Sequence, residues 1–327
     1  MTPLADPAIL FFVFGVFAGL VKSNLEIPPA IARFLSLYLL MALGLKGGFA
    51  LAQSGLTAQV ALSLSLAVFI AVLVPVLSYR WLRRFLNGFD AAALSATYGS
   101  VSAVTFITAM NHLETQGLSY GGHMAAAMAL MESPAIIFAV VMANRLRSQI
   151  ATTAVATAAP AVQRVSMGKV LHESFTDGAQ LLLLGAMLIG MWSGEAGRAA
   201  MQPFSGDLFK GMLAFFLLDM GLMAARKLPG LRGQSPWLLA YGLLAPLVHA
   251  SLALGLCWVL NVPQGDATLL MVLAASASYI AVPAVLRYAL PEANPSLYVG
   301  LSLGLTFPFN ILLGIPLYTQ VAQAVLG

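Results

Sequence analysis

The stretch "SASYIAVPAVLRY", residues 276–288, places small and hydroxylic side chains and then a proline inside a run apolar enough to cross a bilayer. In lipid every backbone N–H and C=O must be bonded within the protein, so an interrupted helix survives only where it is buried or lines a polar cavity. Proline is best tolerated in the first turn of a helix. Pro283 therefore predicts the start of a second half-helix, with Ser276, Ser278 and Tyr279 in the gap before it. A second stretch of the same character, "YGSVSAVT" at 98–105, offers Gly99, Ser100, Ser102 and Thr105.

The rest of the chain sets these breaks in a membrane. Of 327 residues 60% are hydrophobic and 9% charged, with mean hydropathy +0.89, the balance of an all-α polytopic membrane protein. Charge-poor runs mark ten spans at about 8–22, 28–46, 57–79, 91–112, 122–144, 175–193, 207–225, 237–260, 267–287 and 296–320, so the two breaks fall in spans 4 and 9. With ten spans, 13 of the 16 Lys and Arg collect on one face, and only Lys46, Arg198 and Lys210 lie on the other. The positive-inside rule makes the first face cytoplasmic and puts both termini outside, in a bacterial inner membrane. The net charge of +4 then reflects topology rather than nucleic-acid binding. A single cysteine, Cys257, excludes an intramolecular disulfide and a cysteine-built metal site. The first apolar run, "ILFFVFGVFAGLV", has no basic segment before it and reads as a retained span.

The two halves resemble each other. "LLMALGLKGGFAL" (39–51) parallels "LLDMGLMAARKL" (217–228), "YGSVSAVTFITAM" (98–110) parallels the opening stretch, and "MESPAIIFAVV" (131–141) parallels "LTFPFNILLGI" (305–315), at offsets of 174 to 178 residues. Five spans per half is an odd number, so the second half must be inverted relative to the first, the plan of many secondary transporters. This divides the chain into repeats at 1–145 and 171–327 joined by a cytoplasmic linker at 146–170, small, polar and proline-containing.

Inversion points the half-helix N-termini of the two breaks at each other, and unpaired N–H groups with aligned dipoles suit a small anion. Nearby carbonyls and Ser or Thr hydroxyls suit a hard monovalent cation such as sodium. The competing reading is that the hydroxyls only bond back to carbonyls one turn earlier. Glu132, two residues before Pro134, costs about 2.5–3.5 kcal/mol in a membrane unless it faces a cavity or partner, and reads as a cation ligand. At the pseudo-equivalent place in span 10 stand Thr306, Pro308 and Asn310, with no acid. Asp219 is a second intramembrane acid, open to a structural or a functional role, and His249 reads as a hydrogen-bonded interior histidine. His112 and His123 flank an outer loop and read as gate or solvent residues. No H-E-x-x-H, G-x-S-x-G or P-loop is present, so the chain reads as a non-enzyme without a cofactor.

The "GSVSAVT" break, "ESPAIIFAVVMAN" in span 5, "LLAPLVHASLALGL" in span 8 and "ANPSLYVGLSLGLTFPFNILLGIPLY" at the end resemble the SbtA-type sodium-dependent bicarbonate transporters of cyanobacteria. The most specific element is P-x-A-N-P-S-x-Y-x-G, from Pro291 to Gly300. The resemblance implies a scaffold of spans 1, 2, 6 and 7, a moving core of spans 3–5 and 8–10, a homotrimer, sodium–bicarbonate symport and control by a cytoplasmic PII-like protein. It maps substrate binding onto Gly99, Ser100, Ser102, Ser276, Ser278 and Tyr279, with Glu132 near the cation; the residues' own chemistry adds Pro283 to the candidate substrate site and gives Glu132, Ser102, Thr105, Ser278, Thr306 and Asn310 as candidate sodium ligands. Tyr279 stands where the resemblance predicts an acid. The chain is thus expected to take up bicarbonate with sodium by alternating access. The rivals are a small-organic-anion symporter, a proton-coupled anion transporter using Glu132, and an anion-binding membrane sensor.

Overall fold

The computed structural model describes residues 6–153, 168, 177–231 and 233–327, and the described residues are helical without a strand. In chain order the helices are α1 (Pro7–Leu20), α2 (Pro29–Ser54), α3 (Ala58–Leu82), α4 (Gly88–Gly99), α5 (Ala103–Gln116), α6 (Met124–Thr153), α7 (Gly178–Gln202), α8 (Phe209–Lys227), α9 (Pro236–Val259), α10 (Gln264–Ala275), α11 (Ala281–Ala289) and α12 (Pro295–Leu326). Their starts are written in short polar side chains. Asp6, Thr57, Asn87, Ser102, Asp177 and Asn294 each accept a backbone N–H of the first turn that has no partner inside the helix. Proline opens α1, α2, α9 and α12, where its missing N–H costs nothing. Within α12 the turn wraps wider at Ser302–Thr306 and Asn310–Gly314, on either side of Pro308, which cannot donate to the ladder.

Among the described residues seven helical stretches are long and apolar enough to cross a membrane, whereas the sequence predicts ten spans. The difference has three sources. The apolar helices α1 and α10 are short, α10 and α11 are separated by the second break, and α7 and α8 run on as one stretch, Gly178–Leu231. Within that stretch Gly194 leaves helical geometry at φ 55° and Pro203–Asp207 forms a wide turn. Phe11, Phe14 and Phe17 of α1 and Leu188, Ile189 and Trp192 of α7 point outward, as apolar side chains do when lipid is the solvent.

α1 packs along α8 and α2 along α7. Gly44 and Gly48 let α2 approach the backbone of α7 at Leu183 and Met187, the small-residue packing that membranes favour where van der Waals contact replaces the hydrophobic drive. α3, α4 and α6 pack together, and α10 lies against α9, α5 and the end of α12. α6 continues past its predicted end into residues assigned to the linker, because Arg147 is anchored there. Its Nε and Nη2 donate to Glu292 at 2.8 and 2.8 Å, and Nη2 also donates to the Ala289 carbonyl at 2.9 Å. These bonds hold the Glu292 carboxyl below the usual carboxylate range. Apart from 168, the rest of the predicted linker beyond Thr153 lies outside the described residues, as does the start of the second repeat at 171–176.

Candidate functional site

Both predicted breaks are real interruptions, and they cross. α4 ends at Gly99, Ser100 is extended, and α5 begins at Ala103 behind the Ser102 cap. α10 ends at Ala275, Ser276 is extended, and α11 begins at Ala281, two residues before Pro283. Pro283 thus sits in the first helical turn rather than at its first residue. The broken segments satisfy each other: the Ser278 N–H donates to the Thr97 carbonyl at 2.8 Å, and the Ser102 N–H donates to Ser276 Oγ at 3.0 Å. Ser276 Oγ in turn donates to the Leu273 carbonyl at 2.8 Å. Ser102 Oγ accepts the Thr105 N–H and hydroxyl at 3.2 and 2.9 Å, and Ser278 Oγ accepts the Val282 N–H at 3.2 Å. Gly99 lies against the Pro75 ring, where a Cβ would stand 2.6 Å from Cδ. Ser100 is buried and its hydroxyl has no protein partner.

A cavity of about 350 Å³ opens beside this crossing. Its walls include Ser102, Ala103 and Val104 at the start of α5, Ser278, Tyr279 and Ala281 at the start of α11, and Glu132 of α6. The opposite wall comes from α2, with Ser36 and Leu40, and from the start of α7, with Asp177, Gln180 and Leu183. Gln180 hydrogen-bonds Glu132 across the cavity, with Asp177 in electrostatic reach. Among the described residues the lining holds two acids, Glu132 and Asp177, and no Lys, Arg or His. The positive partners that the described lining offers an anion are first-turn N–H groups and hydroxyls.

The candidate residues therefore divide. Ser102, Ser278, Tyr279 and Glu132 line the cavity, whereas Gly99, Ser100, Ser276, Pro283 and Thr105 lie outside its lining, within or beside the breaks. Thr306 and Asn310 are committed elsewhere. Thr306 Oγ1 donates to the Gly242 carbonyl at 2.7 Å and bonds the Tyr98 hydroxyl, while Asn310 Nδ2 donates to the Ala275 carbonyl at 2.8 Å and Oδ1 accepts from Tyr318. Asn310 thus pairs the last carbonyl of α10, which the break leaves without a helical partner. Tyr279 is buried, with its ring edge-on to Phe307 at 5.1 Å and its hydroxyl 3.6 Å from Met220 Sδ.

A model of the Na+-dependent bicarbonate transporter superfamily matches residues 7–323, nearly the whole chain. The chain belongs to that superfamily. No curated protein matches it. The chain is a multi-pass membrane protein, and its structure has a second cavity at the other ends of α2 and α7.

This second cavity, about 660 Å³, is lined by Lys46, Gly47 and Ala50 of α2, Met124 and Ala125 of α6, Arg198 and Gln202 of α7, Lys210 of α8, and the 118–122 loop with Glu114 of α5. At its edge α2 and the loop before α6 touch through glycines: a Cβ on Gly122 would stand 2.5 Å from both the Gly47 carbonyl oxygen and Ala50 Cβ. Beside this contact Lys46 Nζ pairs with Glu114 Oε1 at 3.2 Å, and Tyr120 donates to the same oxygen at 2.7 Å. Asn111, one turn before Glu114, donates to Asp6 at 2.9 Å. α2 and α6 therefore touch beside the second cavity and stand apart at the first.

Several residues here escaped the sequence. Ser36, Asp177, Gln180 and Tyr288 line the first cavity, and only Asp177, a capping acid before an apolar run, carried a local signal. His112 and His123 are buried rather than solvent or gate residues, because the 118–122 loop folds back on α10. Asp266 accepts the Gly121 N–H at 2.6 Å and stands 3.4 Å from His123 Nε2. Asp219 is buried in α8 with Oδ2 lacking a protein partner, and His249 Nε2 lies 3.3 Å from Ser78 Oγ.

Proposed function

We propose that the chain imports bicarbonate together with sodium by alternating access, through ten spans arranged as two inverted five-helix repeats. α1, α2, α7 and α8 form the scaffold, the remaining helices form the moving core, and the basic-rich face is cytoplasmic. The observation that carries this reading is the charge of the cavity at the crossed breaks: among the described residues, two acids and no base. A monovalent anion enters such a place only with a compensating cation, because an uncompensated charge brought out of water is costly. Glu132, with the Ser102 and Ser278 hydroxyls, is the cation's partner, and the N-termini of α5 and α11 are the anion's. In this state the cavity opens between scaffold and core toward the cytoplasm, and the Gly47–Gly122 contact closes the outer side.

The test is uptake of labelled bicarbonate into proteoliposomes under an inward sodium gradient. Sodium-dependent uptake supports the reading. Uptake unchanged when potassium replaces sodium removes the coupling, and no uptake under any gradient removes the substrate. One observation favours a second reading, proton coupling: two carboxyl groups, Glu132 and Asp177, face the same cavity, and an intramembrane carboxyl is a group that can carry a proton. Uptake driven by a proton gradient without sodium, and lost in Glu132→Gln, would select it.

A further inference from the structure

Among the described residues the cavity at the crossed breaks offers an anion no cationic side chain, and the cavity at the other ends of α2 and α7 offers three. Lys46, Arg198 and Lys210 are the three basic residues that the charge census assigns to the outer face, and all three line that one cavity. The lining acids are Glu114 and Asp207, so three bases face two acids. Both acids are engaged. Glu114 holds Lys46 and Tyr120, and Asp207 accepts from Gln202 at 3.2 Å. Glu195, near the rim, accepts from Gln53 at 2.7 Å and lies 3.7 Å from Arg198. Lys210 is exposed and makes no ion pair or hydrogen bond among the described residues.

We propose that this outer cavity is a docking site for the small monovalent anion before it is carried, with Lys210 as its uncommitted cation and Arg198, held only by an exposed ion pair to Glu195 at 3.7 Å, beside it. The inference rests on the transport reading above. A cleft between low-dielectric walls concentrates the field of its charges and raises the local concentration of a counter-ion. Lys46 sits at the edge where α2 meets the Gly122 loop, so an anion drawn into the cavity competes with Glu114 for the Lys46 ammonium. That competition loosens one of the bonds holding the outer side closed. Charged side chains are tolerated here because the cavity opens to water; at the crossed breaks the same charges would be buried in the membrane interior at high cost.

Two measurements test the proposal. In sodium-dependent uptake by the full chain, the Lys210→Gln, Arg198→Gln pair should raise the KM for bicarbonate about tenfold at low ionic strength with kcat kept. The difference should shrink at high ionic strength, and Lys210→Arg should behave as wild type. Separately, a thiol placed in the lining by Ser119→Cys, against the buried native Cys257, should react faster with a sulfonate-bearing thiosulfonate reagent than with its ammonium counterpart. Millimolar bicarbonate should slow the sulfonate reagent, and the two Gln substitutions should remove its advantage. A labelling preference unaltered by those substitutions overturns the inference, and so does an unchanged KM in a chain that transports. No bicarbonate flux in the wild type overturns the transport reading instead, and the labelling preference then decides the docking site alone.

Discussion

The cavity at the crossed breaks and the cavity beside Gly122 are lined by opposite ends of α2 and α7 and by successive turns in the first half of α6, yet they solve the attraction of an anion in different ways. The first uses helix N-termini and hydroxyls with two acids nearby; the second uses Lys46, Arg198 and Lys210. The difference is one that the cost of charge in a membrane would produce. A Lys or Arg in the membrane interior costs several kcal/mol, whereas the partial charge of a helix terminus comes with the backbone and leaves room for a cation partner. Where water reaches, full charges are affordable and give longer range.

The sharpest way to break this comparison is to remove the acid that sets the sign of the first cavity. Glu132→Gln should weaken sodium by up to about 3 kcal/mol, roughly a hundredfold in the sodium concentration for half-maximal uptake. An unchanged sodium titration would mean the acid does not face the coupling ion. Next comes the contact that separates the two cavities. Gly122→Ala puts a methyl 2.5 Å from the Gly47 carbonyl oxygen, a backbone atom that cannot swing away, and should cost about 2 kcal/mol in thermal unfolding along with a loss of uptake. Full stability and uptake would show that α2 and the loop need not touch.

The crossing of the breaks is tested by Ser276→Ala, which leaves the buried Ser102 N–H without its acceptor and should cost about 1–2 kcal/mol. Loss of uptake without loss of stability would give Ser276 a direct part in binding. The smallest effect lies outside the lining of both cavities, at Arg147–Glu292. Because the pair lowers the folded-state pKa of Glu292, its contribution is present above the ordinary glutamate value and fades as pH falls through the lowered one. Arg147→Gln should therefore flatten the acid limb of a stability profile, modestly, since Glu292 is partly exposed.

Much of the first cavity was readable in the chain. A proline and loose hydroxyls in an apolar run mark a break wherever lipid is the solvent, and the same logic singled out Glu132 as an acid needing a reason to be there. The second break was readable because "YGSVSAVT" repeats the pattern. The competing reading of the hydroxyls also holds in part, since Ser276 Oγ does bond a carbonyl three residues earlier. Thr306 and Asn310 show where matching halves misleads: they occupy the place equivalent to Glu132, but neither lines the cavity. An equivalent position in the chain does not fix where a side chain points when α12 is rewound by two wide turns.

By itself the sequence determined that the chain lies in a membrane, that two helices are broken, and which short stretches carry the polar groups. These follow from the cost of unpaired backbone and charge in lipid, which acts on each segment alone. Only the tertiary structure decided that the two breaks bond to each other, that α2 and α7 complete the wall with Ser36, Asp177 and Gln180, and that three basic residues from three helices line the second cavity. Those are facts of helix packing, set by close approaches such as Gly44 on Leu183 and Gly47 on Gly122, and no local pattern in the chain encodes which helices will meet.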